Sequence, residues 1–172
     1  AFLYSISHVN LLSIGLNCAL GADLMRPYVQ IMSQKAPFNV SAHPNAGLPN
    51  EFGEYDQGAS EMQQYVKEFA SSGFVNIVGG CCGTTPAHIA EVAKAVSGKI
   101  PKRPALIDEP GLASLYQHQP FDQTMTYLSI GERTNANGSK AFRDAMLAEN
   151  WEECLEIARS QTREGAHLLD VC

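Results

Sequence analysis

Apolar positions along this chain follow two alternating rhythms. Short runs of consecutive apolar residues suit strands, and stretches with apolar residues at every third or fourth position suit helices. Residues 1–10 have the helical spacing and read as the end of a helix, and residues 11–16 predict a short strand. Asp23 is placed to cap the next helix, which turns Leu24, Tyr28, Ile31 and Met32 inward. Residues 38–42 predict a second strand, and the run 43–50 is too rich in proline, glycine and asparagine for anything but a loop. Ser60 opens a helix with Met62, Tyr65, Val66 and Phe69 at helical spacing. Residues 74–78 predict a third strand. Thr85 then caps a helix with Pro86 just inside it, which runs to about Val96.

Three strand-to-helix units in succession are the rhythm of a parallel α/β fold, in which functional groups gather at the C-terminal ends of strands. The pattern then changes. Residues 98–126 carry Pro101, Pro104, Pro110 and Pro120 and read as an inter-domain linker. Beyond it, residues 127–130 predict a strand that ends in the polar run 131–140. Helices follow over 139–147 and 151–163, separated at Glu149-Asn150, and Gly165 ends the second. Residues 167–171 predict another strand. The expected organisation is therefore 1–97, a linker over 98–126, and a second α/β unit over 127–172.

Composition narrows the partners. The 172 residues are 45% hydrophobic and carry a net charge of −6, which suits a soluble globular protein and argues against nucleic acid or an anionic membrane surface. No apolar run approaches the ~20 residues that span a bilayer. The first twenty residues, with Ser5, Ser7, His8 and Asn10 and no basic opening, do not read as a signal peptide. Five cysteines without an export signal predict reduced thiols and a cytoplasmic location. The chain opens at Ala1 and closes at Cys172 on an apolar run, and we expect it to be a piece of a larger protein.

The densest chemistry lies in Val78-Gly79-Gly80-Cys81-Cys82-Gly83-Thr84-Thr85-Pro86. Here a strand ends in glycines, presents two thiols and turns into a helix, whose N-terminus favours thiolates. A third thiol, Cys18, ends the earlier run Gly15-Leu16-Asn17-Cys18. Adjacent cysteines are poorly placed for a disulfide with each other. Three thiolates from two strand ends would hold zinc with one position open; three thiols packed as small hydrophobes is the alternative. The wide separation of Cys18 from Cys81 is not zinc-finger spacing and favours a site built across strands. A centre with a net charge near −1 suits activation of a substrate thiol better than activation of water. Cys154, with Trp151, Leu155 and Ala158, reads as core, and nothing near Cys172 gives it a role.

A second signal is the run Gly131 to Ser139, where Glu132 and Asn135 at a strand end could read the edge of a heterocycle, or form an ordinary polar loop with Ser139 as a helix cap. Asp170, near another strand end, could join that pocket or simply cap its strand. His43 and His88 lie near the site loops without a partner at ligand spacing, and hydrogen-bonding or solvent-facing roles are expected for them.

Taken together, residues 13–21, 43–50 and 76–85 resemble the homocysteine-binding barrel of the cobalamin-dependent methionine synthase family, and residues 130–139 and 165–171 resemble the opening of its folate-binding barrel. The resemblance covers the chain in order and across the linker. It implies parts of two (βα)8 barrels, with Cys18, Cys81 and Cys82 as zinc ligands and Asn45 in the homocysteine pocket. It places Glu132, Asn135 and Asp170 beside the pterin of 5-methyltetrahydrofolate. It further implies methyl transfer through cobalamin, held as methylcobalamin by another module of the same full-length protein, to zinc-bound homocysteine. The earlier strands of the first barrel, most of the second, and the cobalamin and reactivation modules lie outside this sequence. Asp170-Val171-Cys172 stands where many relatives carry asparagine after the apolar residue. A homocysteine methyltransferase using betaine or a sulfonium donor would share the thiols but has no reason to carry the 131–139 run. A zinc-binding or structural fragment without turnover is the alternative from another class.

Overall fold

The computed structural model describes residues 1–104, 109–124 and 126–172. Part of the expected linker, residues 105–108 and 125, thus lies outside the described residues. The fold is mixed α/β. It divides into two compact units, Val9–Asp108 and Ala1–His8 with Glu109–Cys172.

After a short helix, α1 (Phe2–Ile6), the Val9–Asp108 unit runs β1 (Ser13–Gly21), α2 (Ala22–Lys35), β2 (Asn39–Asn45), α3 (Ala59–Ser71), β3 (Ile77–Val78) and α4 (Pro86–Val96). The strands form one parallel sheet in the order β1-β2-β3. Parallel neighbours require crossover connections, and α2 and α3 supply them. Along β2, Val40 and Ala42 are buried, while Ser41 and His43 project from the other side. The core is Met25 and Val29 of α2, Met62, Val66 and Phe69 of α3, and Val92 of α4. Fully burying each of the large apolar side chains contributes about 1.5–3 kcal/mol. β1 and β2 approach so closely at Gly15 that a Cβ there would meet Ser41 Oγ at 1.9 Å.

Two expectations for α2 fail. Its N-cap is Gly21, and Asp23 sits in the first turn without a capping bond. The buried face is Ala22, Met25 and Val29, whereas Leu24, Tyr28 and Ile31 are exposed and Met32 is half-buried. The helix carries two apolar stripes, and the smaller side chains take the close contact with the sheet. In addition, β2 extends through His43-Pro44-Asn45, which the sequence had as loop. The register Asn17↔His43 and Gly21↔Asn45 holds these residues in the sheet, and Pro44 accepts from Cys81 N at 2.8 Å.

Lys102 is an unexpected core residue. It is 5% exposed, and its Nζ donates to Ala36 O at 3.0 Å and Phe38 O at 3.3 Å, between the end of α2 and the start of β2. A cation satisfying carbonyls at a helix C-terminus is favourable there. Burial nevertheless lowers the Lys102 pKa below the usual lysine value. Because the folded state then binds fewer protons than the unfolded state, stability rises with pH as the lysine titrates. Lys102→Ala should cost about 2 kcal/mol at neutral pH by stranding the two carbonyls. The gap between wild type and Lys102→Met should shift in favour of wild type as pH climbs toward 10.5. Urea melts across that range test both statements, and a flat difference would contradict the second.

The other unit contains α1, an antiparallel pair β4 (Gly111–Ala113) and β5 (His118–Pro120), then β6 (Ile130–Thr134), α5 (Lys140–Leu147), α6 (Trp151–Arg163) and β7 (Leu168–Val171). The β4–β5 hairpin forms inside the stretch read as linker, with Pro110 and Pro120 at its open end, where Phe121 N donates to Pro110 O. Tyr4 of α1 stacks on His118, ring centroids 3.4 Å apart.

β6 and β7 are parallel, in the register Ile130↔Leu168, Gly131↔Leu169 and Thr134↔Val171. The expected strand at 127–130 is thus displaced, since Tyr127 is exposed and pairing reaches Thr134. The polar residues Glu132 to Thr134 hold strand geometry through backbone pairing, against the hydropathy pattern. Ser139 and Asn150 cap α5 and α6, accepting from Phe142 N and Glu153 N at 3.3 Å each. Phe142, Ala145 and Cys154 form the core, which bears out the reading of Cys154. Trp151 and Leu155, expected on the same face, are exposed.

Candidate metal centre

The parallel strands aim the three thiols at one point. Cys18 Sγ lies 3.4 Å from Cys82 Sγ, and Cys81 Sγ lies 3.9 Å from Cys82 Sγ. All three sulfurs lie within 4.8 Å of one another. A tetrahedral zinc with bonds of about 2.3 Å separates its sulfur ligands by roughly 3.8 Å. Two of the three sulfur pairs therefore stand close to ligand spacing, and the donor set fits zinc. All five cysteines are free thiols.

Local backbone geometry produces this convergence. β1 does not end before Cys18. It passes through Cys18 and Ala19 in the left-handed region, at φ 59° and 57°, where the register with β2 slips between Asn17 and Gly21. Consecutive left-handed non-glycine residues are costly, and such strain gathers at functional sites. Here it turns Cys18 out of the strand's alternation and toward Cys82. On the other side, Gly79 N donates to Ala42 O and Cys81 N to Pro44 O, so the cysteine turn continues the pairing with β2. Thr84 Oγ1 closes the turn by donating to Cys81 O at 2.7 Å.

Asn45 is buried, and its Oδ1 accepts from Cys82 N at 3.1 Å. It braces the second thiol from beneath and also interacts with Cys18. Asn17 Nδ2 donates to Cys81 Sγ at 3.9 Å. A cavity of about 350 Å³ opens beside the cluster, lined by Gly15, Asn17, Ser41, His43, Gly80 and Cys81. His43 lies on its wall outside the set of sulfurs.

The thiols are electrostatically unequal. The Ala19 backbone N–H and then the Cys82 and Cys81 side chains hold Cys18 below the ordinary thiol range. Cys82 is pushed up, chiefly by Cys18 and Cys81. Tyr55 is also raised, first by burial and then by its interaction with Cys82. Neighbouring thiols cannot all ionise at low cost without a cation, so a divalent metal is the natural counter-charge.

In the other unit, Asn135 Nδ2 donates to Asp170 Oδ2 at 2.8 Å, and Asn135 Oδ1 accepts from Asn137 N at 2.9 Å. Thr134 Oγ1 donates to Asp170 O at 2.7 Å and receives Gln161 Nε2 at 3.3 Å. The structure thus joins Asn135 and Asp170 at the C-terminal ends of β6 and β7. Glu132 lies nearby on β6, exposed, and lines a separate cavity of about 300 Å³ with Gly131, Arg133, Gln161 and Glu164.

Sequence reasoning missed Asn17 and Tyr55 as neighbours of the sulfurs. Asn17 had a local signal, because it directly precedes a candidate ligand. Tyr55 had none, because its approach depends on the fold of a loop.

The fold and the thiol cluster define a class. A family model described as homocysteine S-methyltransferase matches residues 1–96, and the chain belongs to that family. A model described as pterin binding enzyme matches residues 131–172. The chain is also 48% identical over 176 residues to methionine synthase of Mycobacterium tuberculosis (strain ATCC 25618 / H37Rv), a match that covers 100% of this chain and 15% of the relative. Among the described residues, no helix is long and apolar enough to cross a membrane.

Proposed function

We propose that this chain is the junction between the homocysteine and folate modules of a methionine synthase, comprising parts of two (βα)8 barrels. In this reading the thiols of Cys18, Cys81 and Cys82 hold Zn2+, with 5-methyltetrahydrofolate as methyl donor, homocysteine as acceptor, and cobalamin on another module of the same protein as carrier. The three unpaired thiols of the cluster suit the reducing cytoplasm.

The observation that carries this reading is the convergence of three sulfurs from two strand ends to within 4.8 Å. The separate polar cluster of Asn135 and Asp170 supports it from the region that matches the pterin family. Bound by three thiolates, zinc would supply an open position that keeps a substrate thiol ionised at neutral pH. The chain's residues prepare that position. Asn45 fixes the Cys82 backbone, the Cys18-Ala19 turn aims the first sulfur, and the cavity beside Cys81 gives the substrate room. Glu132, Asn135 and Asp170 are assigned to the pterin ring, with Asn135 orienting the Asp170 carboxylate.

The test uses the full-length protein purified with zinc under reducing conditions. X-ray absorption should show three sulfur neighbours at the metal, rising to four when homocysteine is added, with release of about one proton per site. An unchanged sulfur count at saturating homocysteine would sink the proposed role of the centre.

A further inference from the structure

Between β2 and α3 the chain forms a loop, residues 46–58, fixed at its base and its tip. Ala46 N donates to Cys82 O at 2.9 Å, and Gln57 N donates to Ala46 O at 3.3 Å. At the tip, Asn50 Oδ1 accepts from Phe52 N and Glu54 N, each at 3.0 Å. A further hold comes from α4, where His88 Nε2 bonds Gln57 O at 2.9 Å.

His88 is buried at 8% exposure, and its Nδ1 accepts the Thr85 backbone N–H at 3.2 Å. A backbone N–H can only donate, so Nδ1 is the acceptor and the ring proton sits on Nε2, directed at the loop carbonyl. The imidazole thereby completes the start of α4 and ties down the loop in one neutral tautomer.

The loop brings Tyr55 to the thiol cluster. Its side chain lies against Gly83, at φ +77°, where a Cβ would fall 2.2 Å from Tyr55 Cβ and 2.5 Å from Cγ. No residue but glycine leaves room for the tyrosine beside the cysteine turn. The tyrosine ring thus stands against Gly83, the residue that directly follows Cys82. Asn17 Nδ2 already serves the Cys81 sulfur as an outer donor, at 3.9 Å.

We propose that Tyr55 and His88 are positioning residues of the thiol cluster: the His88 imidazole latches loop 46–58 so that the Tyr55 phenol donates to the Cys82 sulfur. This rests on the reading of the cluster as a zinc site. Thiolate ligands in that site carry excess negative charge, and an outer donor disperses it while holding the sulfur in place. Removing such partners typically costs 10–100-fold in metal affinity.

The test is zinc affinity by chelator competition in the full-length protein, comparing wild type, Tyr55→Phe, His88→Ala and the double variant. Each single change should weaken zinc binding by about 10-fold. Because both remove the same contact, the double variant should stay within about 2-fold of the weaker single. Multiplying losses would mean that His88 acts only on the fold and would overturn the latch. Wild-type affinity in Tyr55→Phe would overturn the whole proposal. That variant removes a single oxygen from a half-buried ring, so it decides the matter even if His88→Ala fails to fold. Wild-type protein that takes up no zinc would overturn the metal reading itself, and this outcome is visible before any variant is compared.

Discussion

On the proposed zinc reading, Cys82→Ser in the full-length protein empties the thiol cluster of metal. Serine is close to isosteric with cysteine, so the bond from Cys82 N to Asn45 Oδ1 and the Gly83 turn survive the change. What is lost is a soft thiolate at the sulfur nearest both others, 3.4 Å from Cys18 and 3.9 Å from Cys81. A neutral hydroxyl is a poor zinc ligand, and two thiolates cannot close the site. Zinc affinity should fall by more than about 100-fold, beyond the usual effect of an outer-sphere partner. Homocysteine-dependent turnover should vanish with it. Metal analysis after dialysis, together with a thermal melt to verify folding, makes the measurement. Full retention of one zinc per chain in this variant would remove Cys82 from the ligand set.

Under the same proposal, Asn135→Ala in the full-length protein separates the two half-reactions. The Asn135 amide holds the Asp170 carboxylate at 2.8 Å and the turn at Asn137 at 2.9 Å. Alanine releases both, and a hydrogen bond to a charged group is worth about 1.5–3 kcal/mol. Methyl transfer from 5-methyltetrahydrofolate to cobalamin should therefore drop by roughly 10–100-fold in kcat/KM. Methylation of homocysteine by supplied methylcobalamin should stay at the wild-type rate, because it uses the thiol cluster. Cys82→Ser should give the opposite pattern. Equal loss of both half-reactions in each variant would argue for one shared site.

The parts legible in the sequence were those with local causes. Thr85 followed by Pro86 marks the start of α4, Gly165 ends α6, and the strand-helix alternation recovers the parallel sheet. The thiol convergence was legible because strand ends in a parallel fold share one side. Other features depend on pairing or packing. β6 runs to Thr134 through polar residues because β7 pairs with it, and hydropathy carries no record of that partner. The inner face of α2 was misjudged because two apolar stripes compete and the sheet selects the smaller one. Among the described residues of 98–126, where the prolines argued against a helix, none is helical, but the prolines concealed a three-residue hairpin pair that needs only a turn at Ser114–Gln117. The left-handed turn at Cys18-Ala19 was invisible, since neither residue favours that conformation.

The distance along the chain between Cys18 and Cys82, 64 positions, has a mechanical consequence. A cross-link between them encloses the end of β1 and all of α2, β2, α3 and β3 in one closed circuit of backbone. Chain statistics assign a covalent link around a loop of that size about 4 kcal/mol of lost unfolded-state entropy. A metal that joins these sulfurs therefore also acts as a clasp on the sheet, and chelation loosens the whole circuit as well as the site.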